Sequence, residues 1–170
     1  MTPLVSIIMG STSDWEVMQK AANILNNFKI PFEVQALSAH RTPEQVVDFV
    51  KNTEASGVKV IIAGAGLAAH LPGVVAAHTT LPVIGVPCNS SISLNGWDAV
   101  LSILQMPPGI PVATVGLDAA QNAGILASQI LALTDNKIAQ TVKEYKTNLK
   151  DKIVKANNDF KKIQYEYKVN

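Results

Sequence analysis

Arginine is almost missing from this chain: Arg41 stands alone among fourteen basic residues, the rest being lysines. Cysteine is as sparse. One Cys88 in 170 residues cannot close an internal disulfide, which excludes a disulfide-stapled fold and suits a reducing, cytoplasmic compartment. Aromatic residues make up 5% and charged residues 16%, against 48% hydrophobic; disorder and collagen-like repeats are excluded. His40, His70 and His78 have neither HExxH spacing nor cysteine partners, so no metal-ligand pattern is present. P-loop, nucleophile-elbow and Ser-His-Asp patterns are missing too.

Two stretches need a membrane reading set aside. The apolar run Leu4–Met9 is short and has no basic residue before it, so a signal peptide is not expected. Residues 60–77 carry no formal charge, but they contain Gly64, Gly66, His70, Pro72 and Gly73. That run divides into a strand, a glycine loop and a short helix instead of a spanning helix. At 18.1 kDa the chain is one domain with an appendage, able to bury roughly two-thirds of its unfolded surface. The net charge of +1 conceals −4 over residues 1–136 and +5 over residues 137–170. Acids are interspersed among the tail lysines, which makes them a solvated helix face and not a nucleic-acid surface.

Short runs rich in valine and isoleucine occur at 4–9, 32–37, 58–63 and 83–86, with a weaker one at 112–115. Continuous apolar runs predict strands covered on both faces. Helical patterns lie between them at 14–28, 43–55, 71–78, 94–105 and 118–133. Five strand–helix units predict an α/β fold with a five-stranded, parallel, doubly wound sheet over residues 1–136. The tail, 137–170, differs. Ile138, Val142, Tyr145, Leu149, Ile153, Ala156, Phe160, Ile163 and Tyr167 recur every three or four residues, the stripe of a long amphipathic helix. Thirty helical residues span roughly 45 Å, beyond the roughly 35–40 Å of the domain itself. The stripe is expected to pack partly on a neighbouring subunit.

Ligands of such sheets bind at the carboxyl ends of strands, which directs attention to three loops. Gly10-Ser11-Thr12-Ser13-Asp14 reads either as an anion site made of hydroxyls and amides or as an N-cap by Ser13 or Asp14. Asp14 would repel a phosphate and better suits ribose hydroxyls. In Ser38-Ala39-His40-Arg41-Thr42-Pro43-Glu44-Gln45, Thr42 and Gln45 have capping-box spacing, and Pro43 suits the first helical position. His40 and the sole arginine precede that helix at the ligand edge. A bidentate guanidinium is what a phosphate monoester needs.

The third loop holds Gly64-Ala65-Gly66-Leu67-Ala68-Ala69-His70-Leu71-Pro72-Gly73. It matches a G-x-G-x-x-A dinucleotide fingerprint. It follows the third strand instead of the first, however, and no acid lies between Glu54 and Asp98 to hold a ribose. Bare backbone crowding a compact ligand explains the small residues better. His70 reads as a ligand contact or a satisfied histidine, His78 as structural and Cys88 as packing.

Taken together with Pro82-Val83-Ile84-Gly85-Val86-Pro87 and Gln105-Met106-Pro107-x-Gly109-Ile110-Pro111-Val112-Ala113-Thr114, these loops resemble the PurE family, class I. Its members are N5-carboxyaminoimidazole ribonucleotide mutases of purine biosynthesis. The resemblance runs in order over about residues 4–133. It implies a flavodoxin-like three-layer sandwich, a homo-octamer with C-terminal helices reaching neighbours, a ribonucleotide monophosphate substrate, and no cofactor or metal. By the same resemblance His40 is the general acid/base. Ser11, Asp14 and Arg41 bind substrate, with Ser13 and Gly66 in the same loops. Ser38, Gly64, Ala65, His70 and Leu71 line the pocket near the migrating carboxylate. Free-carbon-dioxide carboxylases form a related subgroup, typically with lysine where Arg41 stands; a flavin or nucleotide module is the remoter alternative. Leu67 replaces a common glycine, Cys88 a usual aliphatic residue, and Leu117-Asp118 interrupts a usually glycine-containing turn.

Overall fold

A computed structural model describes residues 2–169. Five strands, β1 (Val5–Met9), β2 (Phe32–Ala36), β3 (Val60–Gly66), β4 (Val83–Cys88) and β5 (Ala113–Thr114), form one sheet. All pairings are parallel, in the order β2-β1-β3-β4-β5. That is the flavodoxin-like doubly wound order, with its reversal between β1 and β3. The helices are α1 (Trp15–Asn27), α2 (Pro43–Ala55), α3 (Leu71–Ala77), α4 (Trp97–Leu104), α5 (Ala120–Leu131) and α6 (Asn136–Lys162). Residues 60–77 divide into strand, loop and short helix as expected, and among the described residues no helix is long and apolar enough to cross a membrane.

Side chains alternate across each strand, and the two faces feed two separate cores. Val5, Ile7, Met9, Ile62, Ile84 and Val86 pack with α1, α5 and the start of α6. Ile8, Ile61, Ala63 and Val83 pack with α2, α3 and α4. The result is the three-layer sandwich expected above. β1 and β4 are buried throughout, and β3 up to its last residue, Gly66. β2 departs from the expectation of two covered faces: it is an edge strand whose second half, Val34 to Ala36, is exposed.

Besides shifts of one or two residues, three helix ends differ from the sequence reading. α4 starts at Trp97 instead of Leu94 because the chain after β4 folds into a loop. Ser93 Oγ accepts from Gly96 N at 3.0 Å, and Asn95 and Gly96 both take positive φ. α6 continues through Asn157–Asn158 but stops at Lys162, so Ile163 and Tyr167 lie beyond it. The capping box at α2 is not formed. Thr42 makes no side-chain cap; its hydroxyl accepts from Ser38 N at 2.8 Å and donates to Ser38 O at 3.1 Å. Competition of this kind is why Ser and Thr side chains are ambiguous signals at helix starts.

α6 packs on its own domain only through its first turns. Ile138 and Val142 are buried, and Tyr145 meets Phe28 edge-on with ring centroids 5.3 Å apart. Beyond that point Leu149, Ile153 and Phe160 are exposed.

Candidate active site

The carboxyl ends of β1, β2 and β3 open into a cavity of about 500 Å³. Its first wall is the turn after β1. Ser11 Oγ accepts from Ser13 N at 3.3 Å, and Asp14 Oδ2 accepts in return from Ser11 N at 3.1 Å. Ser11 thus caps the short 3-10 turn Thr12–Asp14, while Asp14 stands at the N-cap position of α1 without a side-chain capping bond there. Burial pushes the Asp14 carboxyl above its ordinary value, while the Ser11 amide and the Arg41 guanidinium pull the other way.

The second wall is the loop after β2, closed on itself by Ser38 and Thr42. Ser38 Oγ accepts from His40 N at 3.3 Å and Arg41 N at 3.2 Å. Both side chains are exposed. Arg41 Nη2 donates to Gly10 O at 3.0 Å, tying this loop to the turn after β1. Arg41 Nε also donates to Ser38 Oγ at 3.4 Å, and Arg41, Ser11 and Ser13 all line the same cavity.

The third wall is the end of β3 and the turn after it. Ala69 N donates to Leu67 O at 2.8 Å and His70 N to Ala68 O at 2.7 Å, two tight turns in succession. They swing His70 toward the second wall, where its Nδ1 lies 2.7 Å from His40 Nε2 with the rings nearly perpendicular. Ala65, Gly66 and Leu71 complete this side.

The structure thus gathers Ser11, Ser13, Asp14, Ser38, His40, Arg41, Ala65, Gly66, His70 and Leu71 around one cavity. Gly64 is the exception. It is buried in the sheet facing α1, where an added Cβ would come within 2.3 Å of Met18 Sδ. Gly66 is short of space as well, because a Cβ there would meet the Cys88 carbonyl oxygen at 2.9 Å. Internal packing therefore accounts for Gly64 in place of clearance for a ligand, whereas Gly66 both lines the cavity and abuts the Cys88 carbonyl. Ser90, two residues past β4, also lines the cavity. The strand-end rule that singled out the other loops would have found it, but no motif marks it.

Two of the three departures noted in the sequence occupy left-handed backbone: Leu67 has φ +55° and Asp118 φ +56°. Glycine adopts that region without the Cβ clash other residues incur. Cys88 is buried, and burial, reinforced by the Asp14 and Asp118 carboxylates, pushes its thiol far above the ordinary range. It packs, as expected. Among the described residues no group of three His, Cys, Asp or Glu side chains is arranged to hold a metal ion.

Residues 4–152 match the family described as AIR carboxylase. The chain belongs to that family. Within it, the chain is 52% identical to an N5-carboxyaminoimidazole ribonucleotide mutase of Thermotoga maritima, covering 99% of this chain and 98% of the relative. It is also 52% identical to the enzyme of the same name from Bacillus subtilis, over 93% of this chain and 98% of the other. The crystal structure of Treponema denticola PurE superposes with a TM-score of 0.85 at 36% identity, covering 94% of this chain and 99% of that one.

Proposed function

We propose that this AIR carboxylase family member is an N5-carboxyaminoimidazole ribonucleotide mutase. It would move a carboxylate from the exocyclic nitrogen of the substrate to ring carbon 4. The observation that carries the reading is the His40–His70 pair. Two imidazole nitrogens 2.7 Å apart require one proton between them, since two lone pairs or two N–H groups would repel. That bond fixes the His40 ring, and the proton on its other nitrogen, Nδ1, is the one a decarboxylation takes and the following carboxylation returns.

Protonated His40 gives its proton to the carbamate nitrogen as the N–C bond breaks, yielding the amine and carbon dioxide. The enamine-like carbon 4 attacks carbon dioxide, and neutral His40 takes the proton that carbon 4 loses. Bonds and protons balance over the cycle, and general acid–base catalysis of this kind contributes roughly 10²–10⁴-fold. His70 orients the His40 ring. Arg41, with Ser11 and Ser13, suits the phosphate as a charge-assisted, fork-shaped partner. Asp14 suits ribose hydroxyls. Ser38, Ala65, Gly66 and Leu71 border the space where the one-carbon unit moves.

A loosely held carbamate releases carbon dioxide without ATP, metal or biotin, so a dilute assay of the purified protein tests the reading. With EDTA present and ATP absent, the carbamate substrate should be converted to the 4-carboxy product. Failure to form that product above the uncatalysed rate overturns it.

We further infer a homo-oligomer, with an octamer as the family resemblance implies, in the cytoplasm. The exposed distal stripe of α6, with Leu149, Ile153 and Phe160, supports assembly.

A further inference from the structure

Leu67 is a large apolar residue in a conformation that disfavours it, at φ +55°. The turn it begins delivers His70 to His40, and glycine would make the same turn without a Cβ clash. The side chain is therefore not there for the backbone. Nor does it serve the core, because Leu67 belongs to neither hydrophobic cluster and is 36% exposed. What it does line is the cavity. Most of the lining is glycine, alanine, serine and polar groups. Of the two leucines in the wall, Leu71 is only 2% exposed, which leaves Leu67 as the accessible long hydrocarbon.

We propose that Leu67 is a retaining wall for the released one-carbon fragment, and so determines how much carbon dioxide escapes before recarboxylation. The inference rests on the mutase reading above. Carbon dioxide carries no charge and accepts hydrogen bonds weakly, so enclosure by apolar surface holds it better than any polar contact. A side chain that excludes water from that end of the cavity also slows the exit of the gas.

The test uses Leu67→Gly, Leu67→Ala and Leu67→Met with the carbamate substrate in buffer holding ¹³C-bicarbonate. Two quantities are followed after subtraction of the enzyme-free reaction: aminoimidazole ribonucleotide released per product formed, and the labelled fraction of the product. Leu67→Gly should release several-fold more of the amine per product and carry several-fold more label. Leu67→Ala should move the same way and Leu67→Met should behave as the native protein. Because glycine suits the left-handed position, Leu67→Gly should melt no lower than native, which separates leakage from misfolding. Ratios and labelling in Leu67→Gly and Leu67→Ala equal to native, whatever their rates, overturn the proposal. Absence of conversion by the native protein would instead sink the mutase reading itself.

Discussion

His40 Nε2 lies 2.7 Å from His70 Nδ1, although thirty residues separate the two and each stands on a loop following a different strand. The contact exists because Ser38 Oγ holds the backbone of His40 and Arg41 while two tight turns after Leu67 aim His70 across the gap. Parallel topology puts the carboxyl ends of β2 and β3 on one edge of the sheet, so loops distant in sequence meet there.

Replacing His40 with Asn should lower turnover at least about a hundredfold, the lower end of what acid–base catalysis contributes. Substrate affinity and melting temperature should change little, because His40 is an exposed loop side chain. Steady-state kinetics, with binding measured separately, check this. More than about a hundredth of the native rate would remove His40 from the proton-transfer role.

Arg41→Lys keeps the charge and loses the fork. Substrate should bind about tenfold more weakly or worse, as charge-assisted hydrogen bonds are worth roughly 1.5–3 kcal/mol. Isothermal titration with the non-reacting ribonucleotide amine at low carbon dioxide reads the change. Unaltered affinity would place the phosphate elsewhere.

How much of this was legible in the residues divides by mechanism. The parallel strands, the two-faced core and the clustering of three loops followed from apolar runs and the strand-end rule, and the flavodoxin-like arrangement from the family resemblance. The roles of Thr42 and Gly64 did not. Thr42 Oγ1 has a choice between capping α2 and clasping Ser38, and spacing alone does not say which bond forms. Gly64 looks like ligand clearance in one dimension, yet Met18 claims the space in three; Gly66 lines the cavity and also abuts the Cys88 carbonyl. The His40–His70 contact was equally invisible, since it depends on a left-handed leucine that propensity argues against.

Glu54 offers a pH test away from the site. Its Oε1 accepts from Thr80 N at 2.9 Å, Thr80 Oγ1 at 2.8 Å and Thr79 Oγ1 at 2.9 Å, and these bonds hold the carboxyl below its ordinary 4.5. A lowered folded-state value means the carboxylate stabilises the fold above the ordinary range and loses that effect as pH falls through the lowered value. Glu54→Gln should therefore melt lower than native at pH 7, with the gap narrowing progressively as pH drops below 4.5. A gap independent of pH would contradict the assignment.

The distal stripe of α6 can be tested without disturbing the domain. Leu149→Glu with Ile153→Glu changes only exposed side chains and spares Ile138, Val142 and Tyr145. Light scattering should give a lower mass for the double variant while circular dichroism stays native-like. Unchanged mass would mean that the stripe does not hold subunits together.

The most direct measurement compares two substrates in parallel at ambient carbon dioxide with no added bicarbonate: the N5-carbamate and the aminoimidazole ribonucleotide itself. A mutase receives its one-carbon unit already attached and holds the released gas only until carbon 4 attacks. The carbamate should then be converted efficiently, and the amine should react only when dissolved carbon dioxide is raised far above ambient. If the amine turns over as fast as the carbamate under ambient conditions, the mutase assignment is wrong and the chain is a carboxylase drawing on free carbon dioxide.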